Sequence, residues 1–262
     1  MGSRTGWLAV LLAAGCASAL KEPPSVAALQ KQPTGTAPAA ELLDEAEQEY
    51  ARRPDRAAVR RAEGLCLAAA SADEEGTAGL VCAIRAKSWL AEREKDAGVR
   101  TELAVSAVQV GQWCLRRAPA SPECRFWLAV ALGMQARDRP TTVEDSLKRM
   151  AQLLRDLERD APLLDRAGPE RVLAILLLRA PGWPIGPGDV EEALVHARKA
   201  VELEPAYPPN LLALGEALLR NDDRARAQEM LGRALELSGK APWADDPDAA
   251  DWAAEARRLL AR

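Results

Sequence analysis

Histidine occurs once in the 262 residues, at His196. A Ser-His-Asp triad or a zinc site built on histidines needs partners that the sequence does not place around it. At helical spacing His196 shares a face with Glu192 and Lys199, which reads as a structural or exposed side chain. A phosphate-binding loop is also missing, since the glycines of Gly182 to Gly188 are not followed by Lys-Ser/Thr. There is no basic face: 35 Lys and Arg stand against 39 Asp and Glu, a net charge of -4, or -5 once Arg4 leaves with residues 1–15. The arginines alternate with acids as on a solvated helix face, which excludes a nucleic-acid binder. Aromatics make up 4% of the chain while apolar residues reach 48%. Such a composition, dominated by Ala, Leu, Arg and Glu, suits helices packed through small residues rather than a β-sandwich. The paired acids Glu191-Glu192 and Asp222-Asp223 fall at helix starts, where they favour the helix dipole, so they read as caps and not as a general acid and base. No catalytic residue, metal ligand or cofactor is expected.

What is present is a repeat. The stretch from Gly188 to Gly239 maps onto itself when shifted by 34 residues. Ala193 falls on Ala227, Ala200 on Ala234 and Pro205 on Gly239, and Lys199-Ala200-Val201-Glu202-Leu203 falls on Arg233-Ala234-Leu235-Glu236-Leu237. That period, with small residues at those spacings, is the signature of the tetratricopeptide repeat. Leu211-x2-Leu214-Gly215-x2-Leu218 supplies a first helix, Gly215 and Ala227 are small where two helices touch, and Leu231 and Ala234 face the next hairpin. The expected fold is all-α, a right-handed superhelical array of antiparallel helix hairpins closed by a C-terminal capping helix.

The N-terminus has a basic Arg4 and an apolar run from Trp7 to Ala14, eight residues that are too few to span a bilayer. A short apolar core after a basic start reads as a secretory signal. Leu12-Ala13-Ala14-Gly15-Cys16 resembles the bacterial lipobox, which implies cleavage before Cys16 and lipidation of it; the competing reading is an ordinary signal peptide with a chance cysteine. Ala17 after the cysteine resembles the outer-membrane sorting pattern. Residues 16–39 are expected to be the lipidated cysteine and a flexible tether broken by Pro23, Pro24, Pro33 and Pro38, reaching roughly 25–30 Å.

Residues 40–118 read as degenerate helical repeats: Glu41 to Arg52, Ala57 to Ala70, Leu80 to Glu94 and Val99 to Arg117. Residues 119–241 read as better-ordered repeats. Pro119, Pro162 and Pro205, 43 residues apart, each end a helix before a new apolar one. Gln135 to Thr142 and Arg179 to Gly188 are the expected turns between paired helices. In residues 242–262, Asp246 is an expected N-cap with Pro247 at the first helical position. Cys66 and Cys82 lie equidistant from the turn Ser71 to Gly76, and Cys114 and Cys124 equidistant from Pro119. In antiparallel hairpins both pairs come within bridging distance; the alternative is that these cysteines fill tight helix contacts as alanine does.

Three pieces resemble the T component associated with TRAP transporters, TatT. They are Ser121-Pro122-Glu123-Cys124-Arg125-Phe126-Trp127-Leu128-Ala129; Gly168-Pro169-Glu170-Arg171-Val172-Leu173-Ala174 leading into Arg179-Ala180-Pro181-Gly182-Trp183-Pro184; and Gly188-Asp189 with Tyr207-Pro208-Pro209-Asn210. The resemblance implies a periplasmic lipoprotein of helical repeats, a homotrimer, association with a periplasmic solute-binding protein and passage of a hydrophobic ligand.

The expected function is a non-enzymatic lipoprotein scaffold facing the periplasm, TatT-like, binding a solute-binding protein or other envelope protein, or a hydrophobic ligand. The alternative is a repeat lipoprotein acting in outer-membrane protein or pilus assembly. First helices line the groove of such arrays, which makes Arg125, Phe126, Trp127, Asn210 and Glu216 groove candidates. Trp183, in a turn of prolines and glycines, either plugs a hairpin end or lines a pocket or partner surface. Trp89, Trp113 and Trp252 read as core.

Overall fold

The computed structural model describes residues 18–29 and 37–262. Cys16, on which the lipidation reading falls, lies outside the described residues. After a short helix α1 (Val26–Leu29) come α2 (Ala39–Ala51), α3 (Arg56–Ala72), α4 (Ala78–Glu92), α5 (Ala97–Arg117), α6 (Pro122–Asp138), α7 (Val143–Asp160), α8 (Gly168–Arg179), α9 (Val190–Leu203), α10 (Pro208–Arg220), α11 (Arg224–Ser238) and α12 (Ala249–Leu260). Among the described residues the one extended feature is an isolated bridge between Gly182 and Gly188.

Local chemistry starts many of these helices. Asp55, Asp96, Ser121, Asp189 and Asp223 each accept a hydrogen bond from a backbone N–H of the first turn, which satisfies a donor that the helix itself leaves open. Pro122 follows its cap at the first helical position, where no N–H is needed. Two boundaries differ from the sequence expectation. Helix α6 runs through Asp138, so Gln135 is a buried helical residue and not the start of a turn. Helix α12 begins at Ala249, because Asp246 directs its carboxylate to the N–H of Asp248, 2.9 Å away, in a turn ahead of the helix.

Each helix from α2 onward packs against the next, and the even-numbered helices also pack on one another from α2 to α12. Helices α3, α5, α7, α9 and α11 form a second layer whose members stand apart from each other. Small residues set the close approaches. A side chain at Gly215 would meet Leu231 at 2.5 Å and one at Gly111 would meet Leu128 at 2.9 Å. Leu231 therefore sits over Gly215 inside its own hairpin, and it also shares an apolar cluster with Ala256 and Leu259 of α12.

Covalent bridges reinforce the junctions between successive hairpins. Cys66 of α3 is bonded to Cys82 of α4, with Cα atoms 5.5 Å apart, and Cys114 of α5 to Cys124 of α6, with Cα atoms 5.3 Å apart. The C-terminal segment does more than cover α10 and α11. Asp248 accepts from the Trp89 indole at 2.9 Å and pairs with Arg93 at 3.1 Å and Arg53 at 3.2 Å. The last helix is thus tied to the first two hairpins, and the array curls until its ends meet.

Candidate functional site

The loop between α8 and α9 carries the most exposed large apolar side chains of the described residues, Trp183 at 90% and Ile185 at 71%. The loop is nonetheless fixed at its base: the N–H of Gly188 donates to Pro181 O at 2.8 Å and that of Asp189 to Leu177 O at 3.0 Å. Gly188 cannot carry a side chain there, because a Cβ would lie 2.2 Å from Ala180 O. Trp183 is therefore held out on a braced turn rather than plugged into a hairpin end. Ile185 is its companion, and the sequence reading did not single it out.

The groove candidates have other duties. Phe126 is in the core, edge-on to Trp127 with ring centroids 5.3 Å apart. Arg125 pairs with Asp160 at 2.7 Å. Asn210 is fully buried; its amide donates to Ala200 O at 3.0 Å and its oxygen accepts from Arg171 at 2.9 Å, which locks the junction of α9 with α10. Glu216 is buried and receives Arg179 at 2.9 Å, tying α10 to α8. The structure places Phe126, Asn210 and Glu216 in the framework and does not bring the six candidates together. Trp89 is core as expected, Trp252 packs edge-on to Tyr207 and Trp243, and Trp113 has a different partner.

That partner is the segment expected to be a loose tether. Residues 18–29 lie along the second layer, with α1 wedged between α3 and α5. The N–H of Ala19 donates to Asp145 at 2.7 Å, the Gln135 amide donates to Ala19 O at 3.2 Å, Gln112 to Lys21 O at 2.9 Å and the Trp113 indole to Pro24 O at 2.7 Å. Arg116 pairs with Glu22 at 2.8 Å, and Pro23, Val26 and Leu29 are buried. The array thus grips an extended stretch of chain by its backbone carbonyls and by apolar residues three apart. The grip begins at the α6–α7 turn. In an alternating array that turn and the Trp183 loop open on the same edge.

His196 is not alone. Its Nδ1 lies 2.7 Å from Glu158 of α7 and 2.8 Å from Glu170 of α8, and its Nε2 lies 3.6 Å from Glu192 one turn earlier in α9. Burial pulls the imidazolium pKa down, but the carboxylates of Glu158 and Glu170 against Nδ1 outweigh it and raise the pKa to about 10. Burial, with the charge of Glu158 beside it, pushes Glu170 up. The ligand-type atoms of Glu158, Glu170 and His196 lie within 4.8 Å of one another. No local pattern signals this cluster, because the partners come from helices whose packing had to be known first.

No protein-family model matches the sequence, and no curated protein matches it. Solved structures do match its shape. TTC0263, a thermophilic TPR protein in Thermus thermophilus, superposes with a TM-score of 0.63 at 19% identity, over 86% of this chain and 100% of that one. The 41-end form of MamA from Desulfovibrio magneticus RS-1 gives 0.51 at 18% identity, over 79% and 99%. The chain has the tetratricopeptide-repeat fold. Arrays of this fold present extended surfaces built from stacked hairpins, which makes the braced Trp183–Ile185 loop and the occupied second-layer groove its two candidate interaction surfaces.

Proposed function

We propose that this chain is a non-enzymatic scaffold that docks a protein partner through the loop of residues 180–189. The observation that carries the reading is Trp183 and Ile185 held out of a braced turn in an array whose other large apolar residues are mostly buried; exposed aromatics of this kind anchor interfaces. The more specific reading is a TatT-like accessory of TRAP-type transport. It is lipid-anchored through Cys16 on the periplasmic side of the envelope, at the outer membrane. Its partner is a periplasmic solute-binding protein, with a hydrophobic ligand passing between them and a homotrimer as the assembly. The lipobox pattern and the Ala-Pro-Gly-Trp-Pro turn support it. Because residues from Ser18 onward are held at the α6–α7 turn, an anchor at Cys16 would keep that edge, and the Trp183 loop with it, close to the bilayer.

The test is a calorimetric titration of the oxidised chain with a periplasmic solute-binding protein of the TRAP type. Trp183→Ala should weaken binding at least tenfold with the melting temperature unchanged, as befits a side chain 90% exposed. Unaltered binding, or a lower melting temperature without a binding change, overturns the docking role. Intact-mass analysis of membrane-extracted protein tests the anchor, and an unmodified mass overturns it.

A further inference from the structure

We propose that Glu158, Glu170 and His196 form a binding site for one divalent cation of the zinc class, which pins helix α7 to helices α8 and α9.

The first argument is a misfit. Two carboxylates converge on one ring nitrogen, at 2.7 and 2.8 Å, and that nitrogen carries at most one proton. Glu158 Oε1 is sealed from solvent yet has no well-directed hydrogen bond. Among the described residues neither carboxylate is paired with a lysine or arginine; His196 is the ion partner of both. Two carboxylates around one imidazolium leave an excess negative charge in a site where the three side chains are only 10–17% exposed. A dication removes that excess and gives both oxygens a partner.

The second argument is the donor set. Two carboxylate oxygens and one imidazole nitrogen are ligands for a borderline ion, whereas magnesium and calcium take oxygen alone. A tetrahedral ion with bonds of about 2.0–2.1 Å needs ligands about 3.3 Å apart. The three atoms already lie within 4.8 Å of one another, so the two short contacts need open by only about half an ångström. The other ring nitrogen faces Glu192, itself held by Arg155 at 3.0 Å. At 3.6 Å that carboxylate is not yet hydrogen-bonded to the ring; drawn closer on metal binding, it would accept the Nε2 proton's hydrogen bond and leave Nδ1 free to ligate.

The third argument is position. The α3–α4 and α5–α6 junctions each carry a disulfide. The next junction, α7–α8, has no cysteine and carries this cluster instead. A metal bridge there would do the same job of fastening one hairpin to the next.

The experiment uses the tag-free, oxidised chain stripped with EDTA, titrated with ZnCl2 and separately with MgCl2 at about pH 8, because a metal must displace the Nδ1 proton. One Zn2+ per chain is expected, with a rise in melting temperature, no Mg2+ binding and a shift of the imidazole NMR signals, which are unambiguous because the chain has one histidine. His196→Gln and Glu158→Gln should each weaken Zn2+ binding at least tenfold. Should Glu158→Gln fail to fold, the wild-type imidazole signals and the His196→Gln titration decide. Absence of saturable binding at millimolar Zn2+, or binding of undiminished affinity in His196→Gln, overturns the proposal.

Discussion

The indole N–H of Trp89 in α4 donates to the carboxylate of Asp248, 2.9 Å away and on the far side of the array in sequence. Arg93 and Arg53 converge on the same carboxylate. One acid therefore accepts hydrogen bonds from Trp89 and Arg93, pairs its charge with Arg53, and draws the C-terminal helix onto the first two hairpins. Asp248→Ala leaves the buried Trp89 N–H and the largely buried Arg53 unpaired. Since Asp248 is itself about a fifth exposed, the loss should be about 2 kcal/mol rather than the larger cost of a fully buried pair. Urea unfolding reads the stability and small-angle scattering reads the closure. An unchanged midpoint together with an unchanged radius of gyration contradicts it.

The two disulfides close loops between residues 16 and 10 apart in sequence. By the chain-entropy relation each should contribute roughly 2–3 kcal/mol. Peptide mapping under non-reducing conditions should find Cys66 joined to Cys82 and Cys114 to Cys124, with none of the four accessible to alkylation. Reduction should lower the melting temperature. A Cys66→Ala, Cys82→Ala double variant should show about half of the reduction effect. Four free thiols in protein isolated from an oxidising compartment would remove the bridges from the account.

Gly215→Ala should cost about 1–3 kcal/mol, because the added methyl would stand 2.5 Å from Leu231 in a well-packed interface. If that contact is the cause, Leu231→Ala in the same chain makes room and the two losses are less than additive. Chemical denaturation of the four chains in this cycle measures the coupling. Strict additivity shows that the glycine is required for another reason.

Much of this was legible because repeats announce themselves locally. The 34-residue shift that pairs Ala193 with Ala227 locates two hairpins, and symmetric placement about a turn locates both cysteine pairs. The rest depends on neighbours distant in sequence. Asn210 and Glu216 sit on the helix type that lines a groove, yet each lies where its helix meets another, so packing consumes them. His196 looked solitary because Glu170 and Glu158 approach from other helices. The exposure of Trp183 is set by the hydrogen bonds that brace its loop, which composition does not encode. For residues 18–29 a signal existed: Pro23, Val26 and Leu29 fall three apart, an apolar stripe beside the polar Lys21, Glu22 and Ser25.

That stripe gives a direct way to separate a tether from a bound strap. Val26 and Leu29 are buried between α3 and α5, and the backbone on either side of Glu22 is held by Gln112 and Trp113. Placing a charge at Val26 would bury an unpaired carboxylate, which the segment avoids by leaving the groove. Val26→Asp should therefore raise amide exchange across residues 18–29 by at least tenfold. It should make the segment the first site of proteolytic cleavage and lower the melting temperature slightly as the second layer loses its cover. Trp113→Ala, which removes the bond to Pro24 O without charging the groove, should have a smaller effect in the same direction. A loose tether predicts fast exchange in the unaltered chain and no response to either substitution, and that result would restore a flexible linker between Cys16 and the array.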